Sequence, residues 1–191
     1  MAMLATMPRY TIADLDDFPD DGNRYELLDG ILLVSPQAAS PHQLVAQRLA
    51  TLLANFLGDS EPAIVVGPGA VQREPNTHLE PDILVLPPVR GALPKWKELS
   101  GHWLAVEVIS PSSRFTDRQI KRQAYLALGV AEVWVVDYRE GVIERAIAGS
   151  DAVEISADRI VWRPRRLDRA LTVDIPHLFR PPVNAMSDAG T

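Results

Sequence analysis

Residues 103–138 read WLAVEVISPSSRFTDRQIKRQAYLALGVAEVWVVDY, and the hydrophobic period changes twice within them. Trp103 to Ile109 is a short apolar run interrupted only by Glu107, as expected of a strand. Asp117 to Leu128 sets Ile120, Ala124, Ala127 and Leu128 on one helical face, with Thr116 or Asp117 able to cap the start and Gly129 to end it. Glu132 to Tyr138 carries Val133, Trp134, Val135 and Val136 in succession, the continuous apolar run of a buried strand. Strand, helix, strand is therefore the expected centre of a mixed α/β (α+β) fold.

Working outward, two more apolar runs precede this centre, Ala63 to Val71 and Asp82 to Leu86. Loops bearing Pro and Gly separate them, and with Trp103 to Ile109 they suit a three-strand meander. Before them, Pro41 to Leu57 has Leu44, Val45, Leu49, Leu52, Leu53 and Phe56 at helical spacing, Ser40 as N-cap and Gly58 as stop. Arg24 to Val34 places Asp29-Gly30 between two apolar segments, the signature of a two-residue type I′ hairpin. The core order is thus α-β-β-β-α-β, with an added N-terminal hairpin and short C-terminal strands at 142–147, 152–155 and 159–162. One domain is expected over 1–180, with a loose C-terminal tail at 181–191.

Composition removes several function classes. The chain has 191 residues and no cysteine, which excludes disulfide frameworks, thiolate metal sites and thiol nucleophiles, so any metal must use oxygen or His. No segment reaches the 18 or so apolar residues of a membrane span, and Met1 to Arg9 lacks the basic-then-apolar pattern of a signal peptide. The expectation is a soluble cytoplasmic protein with no membrane partner. Net charge is -6, and the excess acidity lies in the first 100 residues. Arg159, Arg163, Arg165, Arg166 and Arg169 crowd together against Asp168 alone. They could meet phosphates, although a solvated edge strand and loop is the preferred reading.

The informative residues are acids inside apolar strands, because a buried, unpaired carboxylate costs several kcal/mol. Alternation puts Glu107 on a face with Trp103, Ala105 and Ile109, and Asp82 on a face with Leu84 and Leu86. If the two strands are antiparallel neighbours, pairing Leu84 with Ala105 also brings Asp82 opposite Glu107. Two carboxylates about 5 Å apart repel unless a cation or proton lies between them. Mg²⁺ suits that role, since it takes one or two protein carboxylates and leaves positions open for phosphate oxygens. The alternative is that Asp82 begins a strand at the surface and Glu107 bridges to an arginine.

Lys121 lies four residues, or about 6 Å, into the next helix. If that helix folds back over the sheet, its ammonium reaches the carboxylates, where it would lower their pKa values, hold a phosphate and polarise an attacking water. The chain uses 16 Arg but only three Lys, so a lysine here is notable. In the hairpin, Glu26 opposes Leu33 and shares a face with Leu28 and Ile31. It either turns inward to the site or sits at a sheet edge, exposed or paired with Arg24.

These residues together resemble the Uma-two family over most of residues 10 to 140. The motifs are Arg24-Tyr-Glu-Leu-Leu-Asp-Gly30, Ser40-Pro-His-Gln43, Pro81-Asp82, Glu107-Val-Ile-Ser-Pro-Ser-Ser113, Lys121 to Tyr125, and Gly129-Val130 with Glu132 to Asp137. The resemblance implies a restriction-endonuclease-like protein of the PD-(D/E)XK nuclease superfamily, whose core order is α-β-β-β-α-β. By position, it implies that Asp82 and Glu107 bind metal, Mg²⁺ or Mn²⁺, and that Val108 lends its carbonyl. The superfamily expects a lysine two residues after the central acid, where this chain has Ile109, and Lys121 is the implied replacement. Glu26 is implied to join the site. His42 and Tyr125 also match family positions, and packing or capping is the expected role of each. A metal-dependent endonuclease acting on DNA is therefore expected, with a homodimer expected by analogy with nucleases that cut both strands. The rival readings are a nucleic-acid- or protein-binding module on a nuclease fold and hydrolysis of small phosphate-containing metabolites.

Overall fold

The computed structural model describes residues 8–58, 63–89, 91–92, 94–110, 113–165 and 167–181. Strands β1 (Asn23–Leu28) and β2 (Ile31–Pro36) form the expected hairpin, with Glu26 opposite Leu33 and Leu28 opposite Ile31. Asp29 and Gly30 both have positive φ, 49° and 82°, as a type I′ turn requires. Helix α1 (Ser40–Leu57) follows. Its N-cap is Ala39 rather than Ser40. Ser40 and Pro41 occupy the first helical turn, where proline's missing N–H leaves no bond unmade.

The segment expected as one strand over 63–71 is two. β3 (Ile64–Val66) joins one sheet and β4 (Val71–Arg73) another, because the chain turns at Gly67-Pro68 between them. β5 (Thr77–Leu79) then pairs with β4 and with β1, giving a four-stranded sheet of order β2-β1-β5-β4. β6 (Ile83–Leu86), β7 (Leu104–Val108), β8 (Glu132–Asp137), β9 (Val142–Ile147) and β10 (Val153–Ser156) join β3 in a six-stranded sheet of order β10-β9-β8-β7-β6-β3. Among the described residues only β7 and β8 run parallel, linked by a π-helical turn (Thr116–Lys121) that continues into α2 (Arg122–Ala127). A crossover helix is what a parallel pair requires. The main sheet and its helices therefore run α1, β3, β6, β7, helix, β8 in chain order. A two-stranded ribbon, β11 (Arg159–Trp162) with β12 (Leu171–Asp174), and the short α3 (Ile175–Phe179) are the last elements among the described residues. The tail at 182–191 lies outside the described residues.

Alternation along the central strands divides the core in two. Leu104, Val106 and Val108 of β7 face α1, through Val45, Leu49 and Leu53, together with Trp162 and Ile175 of the C-terminal elements. Ala105 of β7 and Leu84 and Leu86 of β6 face the other way, against Ala124 and Tyr125 of α2 and Val71 and Leu79 of the second sheet. Trp103 packs on the α1 side, not with Ala105, because it lies in a bend before β7 begins and the alternation does not extend to it. Glu107, two residues after Ala105, is held on the side of α2 and the hairpin. No helix among the described residues is long and apolar enough to cross a membrane.

Candidate functional site

The register places the two strand acids together. Leu84 pairs with Ala105 and Ile83 with Val106, so Asp82, just before β6, lies opposite the end of β7. Asp82 Oδ2 accepts a 2.8 Å hydrogen bond from the Val108 amide, next to Glu107. Both acids, Val108, His42, Asp117 and Lys121 line one cleft of about 210 Å³.

Helix geometry brings the cation to the acids. Thr116 and Asp117 do not cap a helix, since helical backbone is already present at Arg114. Asp117 lies inside the π-turn and is buried. In an α-helix a four-residue step slightly exceeds one turn, whereas in the wider π-turn it falls short of one. The two offsets oppose each other across Asp117, Lys121 and Tyr125, so all three side chains share one stripe. Lys121 Nζ lies 2.5 Å from Glu26 Oε2, 3.2 Å from Glu107 Oε1 and 3.8 Å from Asp117 Oδ1. The Tyr125 hydroxyl donates to Glu107 Oε1 at 2.6 Å. Glu26 turns inward and is fully buried, its Oε1 accepting from the Glu80 amide at 2.7 Å.

Asp82 has its own partners. Arg24 Nη2 lies 3.2 Å from its Oδ1 and His42 Nε2 lies 3.0 Å from its Oδ2. Arg24 also donates to the Glu80 carbonyl at 3.0 Å. His42 is therefore a direct partner of a site acid rather than a cap, and Tyr125 combines packing with a hydrogen bond to Glu107. The alternatives pairing Glu107 with an arginine and Glu26 with Arg24 do not hold. Arg24 and Asp117 also belong to the site, beyond the residues that the sequence indicates for it, although each carries a signal. Arg24 precedes Glu26 by two, the spacing of one strand face, and Asp117 precedes Lys121 by four, the spacing of one helix stripe.

Electrostatics separate the two strand acids. Burial drives Glu107 well above the usual carboxylate range. Lys121 opposes the rise, and the neighbouring charges of Asp117, Asp82 and Glu26 reinforce it. Burial also pushes Asp82 upward, but His42, Arg24 and the Val108 amide together hold it below its ordinary value. Asp117 is raised, chiefly by burial. Burial disfavours the Lys121 ammonium, yet Glu107, Glu26 and Asp117 outweigh it and hold the group protonated. Four carboxyl groups thus surround two permanent cations, Lys121 and Arg24, and the crowding of the acids is part of what raises Glu107.

The donor set fits a hard ion, with carboxylate oxygens from Asp82 and Glu107 bordering one open cleft. Among the described residues no three His, Asp or Glu side chains form a group that could hold an ion. A site here would have two protein carboxylates and complete its shell with water, backbone or substrate oxygen, a coordination that suits Mg²⁺.

A family model described as "Putative restriction endonuclease", that of Uma2, matches residues 12–165, a span that contains every residue of the cleft. The chain belongs to the Uma2 family. No curated protein matches it. Among solved structures it is similar to the crystal structure of "a putative nuclease belonging to DUF820" from Anabaena variabilis, with a TM-score of 0.72 and 17% sequence identity over 89% of this chain and 97% of that one. At that identity the likeness is one of fold.

The arginine cluster of this Uma2 chain stands apart from the cleft. Arg169 donates to the Leu57 carbonyl at 2.9 Å and covers the Phe56 ring at 4.8 Å. It therefore closes the C-terminal end of α1, about 22 Å along the helix from His42. Arg159, Arg163 and Arg165 are exposed, and Arg166 lies outside the described residues.

Proposed function

We propose that this chain is a metal-dependent endonuclease that hydrolyses phosphodiester bonds in DNA, on a restriction-endonuclease-like core of order α-β-β-β-α-β. The observation that carries the reading is the convergence of Asp82, Glu107 and Lys121 on one cleft, in a chain of a family with that description. Asp82 and Glu107 would hold Mg²⁺ or Mn²⁺, with the Val108 carbonyl as a third ligand. The chemistry such an ion supplies is activation of water and neutralisation of charge on the leaving oxygen.

The chain's own residues have distinct tasks. Lys121, held by Glu26, offers its ammonium to a phosphate oxygen or the attacking water, where charge develops in the transition state. Tyr125 fixes the Glu107 rotamer from behind, and the Val108 amide with Arg24 and His42 fixes Asp82. The test is incubation of the purified protein with plasmid and with single-stranded DNA in Mg²⁺, Mn²⁺ or EDTA. Cleavage that requires the ion and is lost in Glu107→Ala supports the reading, whereas intact DNA in every condition removes it.

A binding module on a nuclease fold is the second reading, favoured by one observation. Asp82 is already partnered by Arg24 and His42, and Glu107 by Lys121, so the acids have a use as internal hydrogen-bonding and ion-pair partners. DNA binding unaffected by EDTA and unaccompanied by cleavage would select this reading.

A further inference from the structure

A second and larger concavity opens beside the cleft. It is a groove of about 710 Å³ between the N-terminal turn (Ile12–Asp17), the open end of the hairpin and the start of α1. The two are continuous, for Arg24, Pro36, Gln37 and Ala38 line both. A ligand bound at Asp82 and Glu107 therefore has this groove as its direct extension.

The lining selects among the parts of a nucleic acid. Asp16, Asp20 and Glu80 face the groove, and among the described residues lining it Arg24, at the junction, is the one permanent cation. A run of phosphates would be repelled there. The remaining surface carries the side-chain amides of Asn23, Gln37, Gln43 and Gln72 and the rings of Phe18 and Tyr25. Those two rings stack at 4.9 Å. Gln72 is held 2.6 Å from His78 Nδ1, and His78 Nε2 lies 2.8 Å from Glu80, so this wall is fixed in advance of binding. Amides read the donor and acceptor edges of bases, and aromatic rings offer flat contact surface. The volume falls in the range of small-molecule sites, roughly 300 to 1,000 Å³.

We infer that the groove is a subsite for unpaired nucleobases flanking the phosphate at Asp82 and Glu107, with Arg24 holding the intervening phosphate. The inference rests on the nuclease reading for its class of ligand. Bases inside a duplex are stacked and their pairing edges occupied, so the groove takes single-stranded or locally opened DNA. The exposed amides of Gln37 and Gln43 supply contacts that a duplex cannot use.

Fluorescence anisotropy in EDTA tests this separately from cleavage, using a short labelled single strand and a blunt duplex of the same sequence at one salt concentration. The single strand is expected to bind about tenfold more tightly. The doubly substituted variant Gln37→Ala with Gln43→Ala is expected to lose about fivefold or more on the single strand while the duplex affinity stays unchanged. Equal affinity for the two DNAs, equal losses on both, or binding to neither overturns the subsite. Single-strand binding with this signature in a protein that cleaves nothing would retain the subsite and remove the nuclease reading. Cleavage of both DNAs without it would do the reverse.

Discussion

The Lys121 ammonium sits 2.5 Å from Glu26 Oε2 and, on its other side, 3.2 Å from Glu107 Oε1. One side chain from the crossover helix thus ties the hairpin to the central strand of the other sheet, and all three groups are buried. Removing the cation would leave two buried carboxylates facing each other. Lys121→Met, which keeps much of the volume, should lose about 3 to 5 kcal/mol at neutral pH by urea denaturation. The loss should shrink as pH falls, because Glu107, already raised by burial, can take up a proton once its cation is gone. A variant as stable as wild type at neutral pH would mean that solvent already screens the three groups.

Metal should stabilise the folded protein. A ligand that binds only the native state at 100 times its dissociation constant contributes about 2.7 kcal/mol, so the wild-type Tm should rise with excess Mg²⁺ or Mn²⁺ and that of Glu107→Ala should not. Burial raises the Glu107 pKa, and an ion must displace that proton, so the increment should grow as pH rises through the folded-state pKa. Calorimetric scans with and without EDTA across pH read both effects. A metal response retained in Glu107→Ala would remove this residue from the ligand set.

His102 gives a stability signature unconnected with the cleft. It is 2% exposed, and neither ring nitrogen has a hydrogen-bond partner among the described residues. Burial lowers its pKa from the ordinary 6.5. A base with a depressed folded-state pKa binds more protons when unfolded, so its contribution is complete above about pH 6.5 and is lost as pH falls below that value. His102→Phe should flatten the pH dependence of urea stability in this window. An unchanged slope would assign the dependence to other groups.

Much of this was legible in the sequence because local rules and tertiary structure agree there. The hairpin register follows from Asp29-Gly30, and the β6–β7 register follows from placing two acids that need a common partner on one face. What was not legible depends on contacts between distant segments. The split of 63–71 into strands of two different sheets is set by the turn at Gly67-Pro68 and by β5, a three-residue strand too short to show alternation. Local sequence offers Arg24 only as a possible partner in the alternative placement of Glu26, because nothing local indicates that residues 80–82 lie beside the hairpin. Asp117 looked like a cap because the π-turn that turns it inward has no sequence signature comparable to proline or glycine.

Gly67 offers a test of the site that touches none of its charged groups. A Cβ built there would meet the Asp82 carbonyl oxygen at 2.7 Å, closer than real contacts allow, and the obstructing atom belongs to backbone that cannot swing aside. β3 pairs with β6 in this region, Val66 opposite Leu84, so any relief must separate the strands at the end where Asp82 begins. Gly67→Ala should therefore shift Asp82 away from the Val108 amide and His42, at a stability loss of about 1 to 3 kcal/mol. If Asp82 and Glu107 act together on one ion, that displacement should also reduce the metal-induced rise in Tm, and it should lower cleavage by far more than the stability loss explains at a temperature where the variant is folded. Gly22→Ala is the control, since a Cβ there meets nothing within 4 Å although its φ of 81° carries strain. It should lose comparable stability through backbone conformation alone and keep the metal response. Equal metal responses in both variants would show that the spacing of β3 from β6 does not position Asp82.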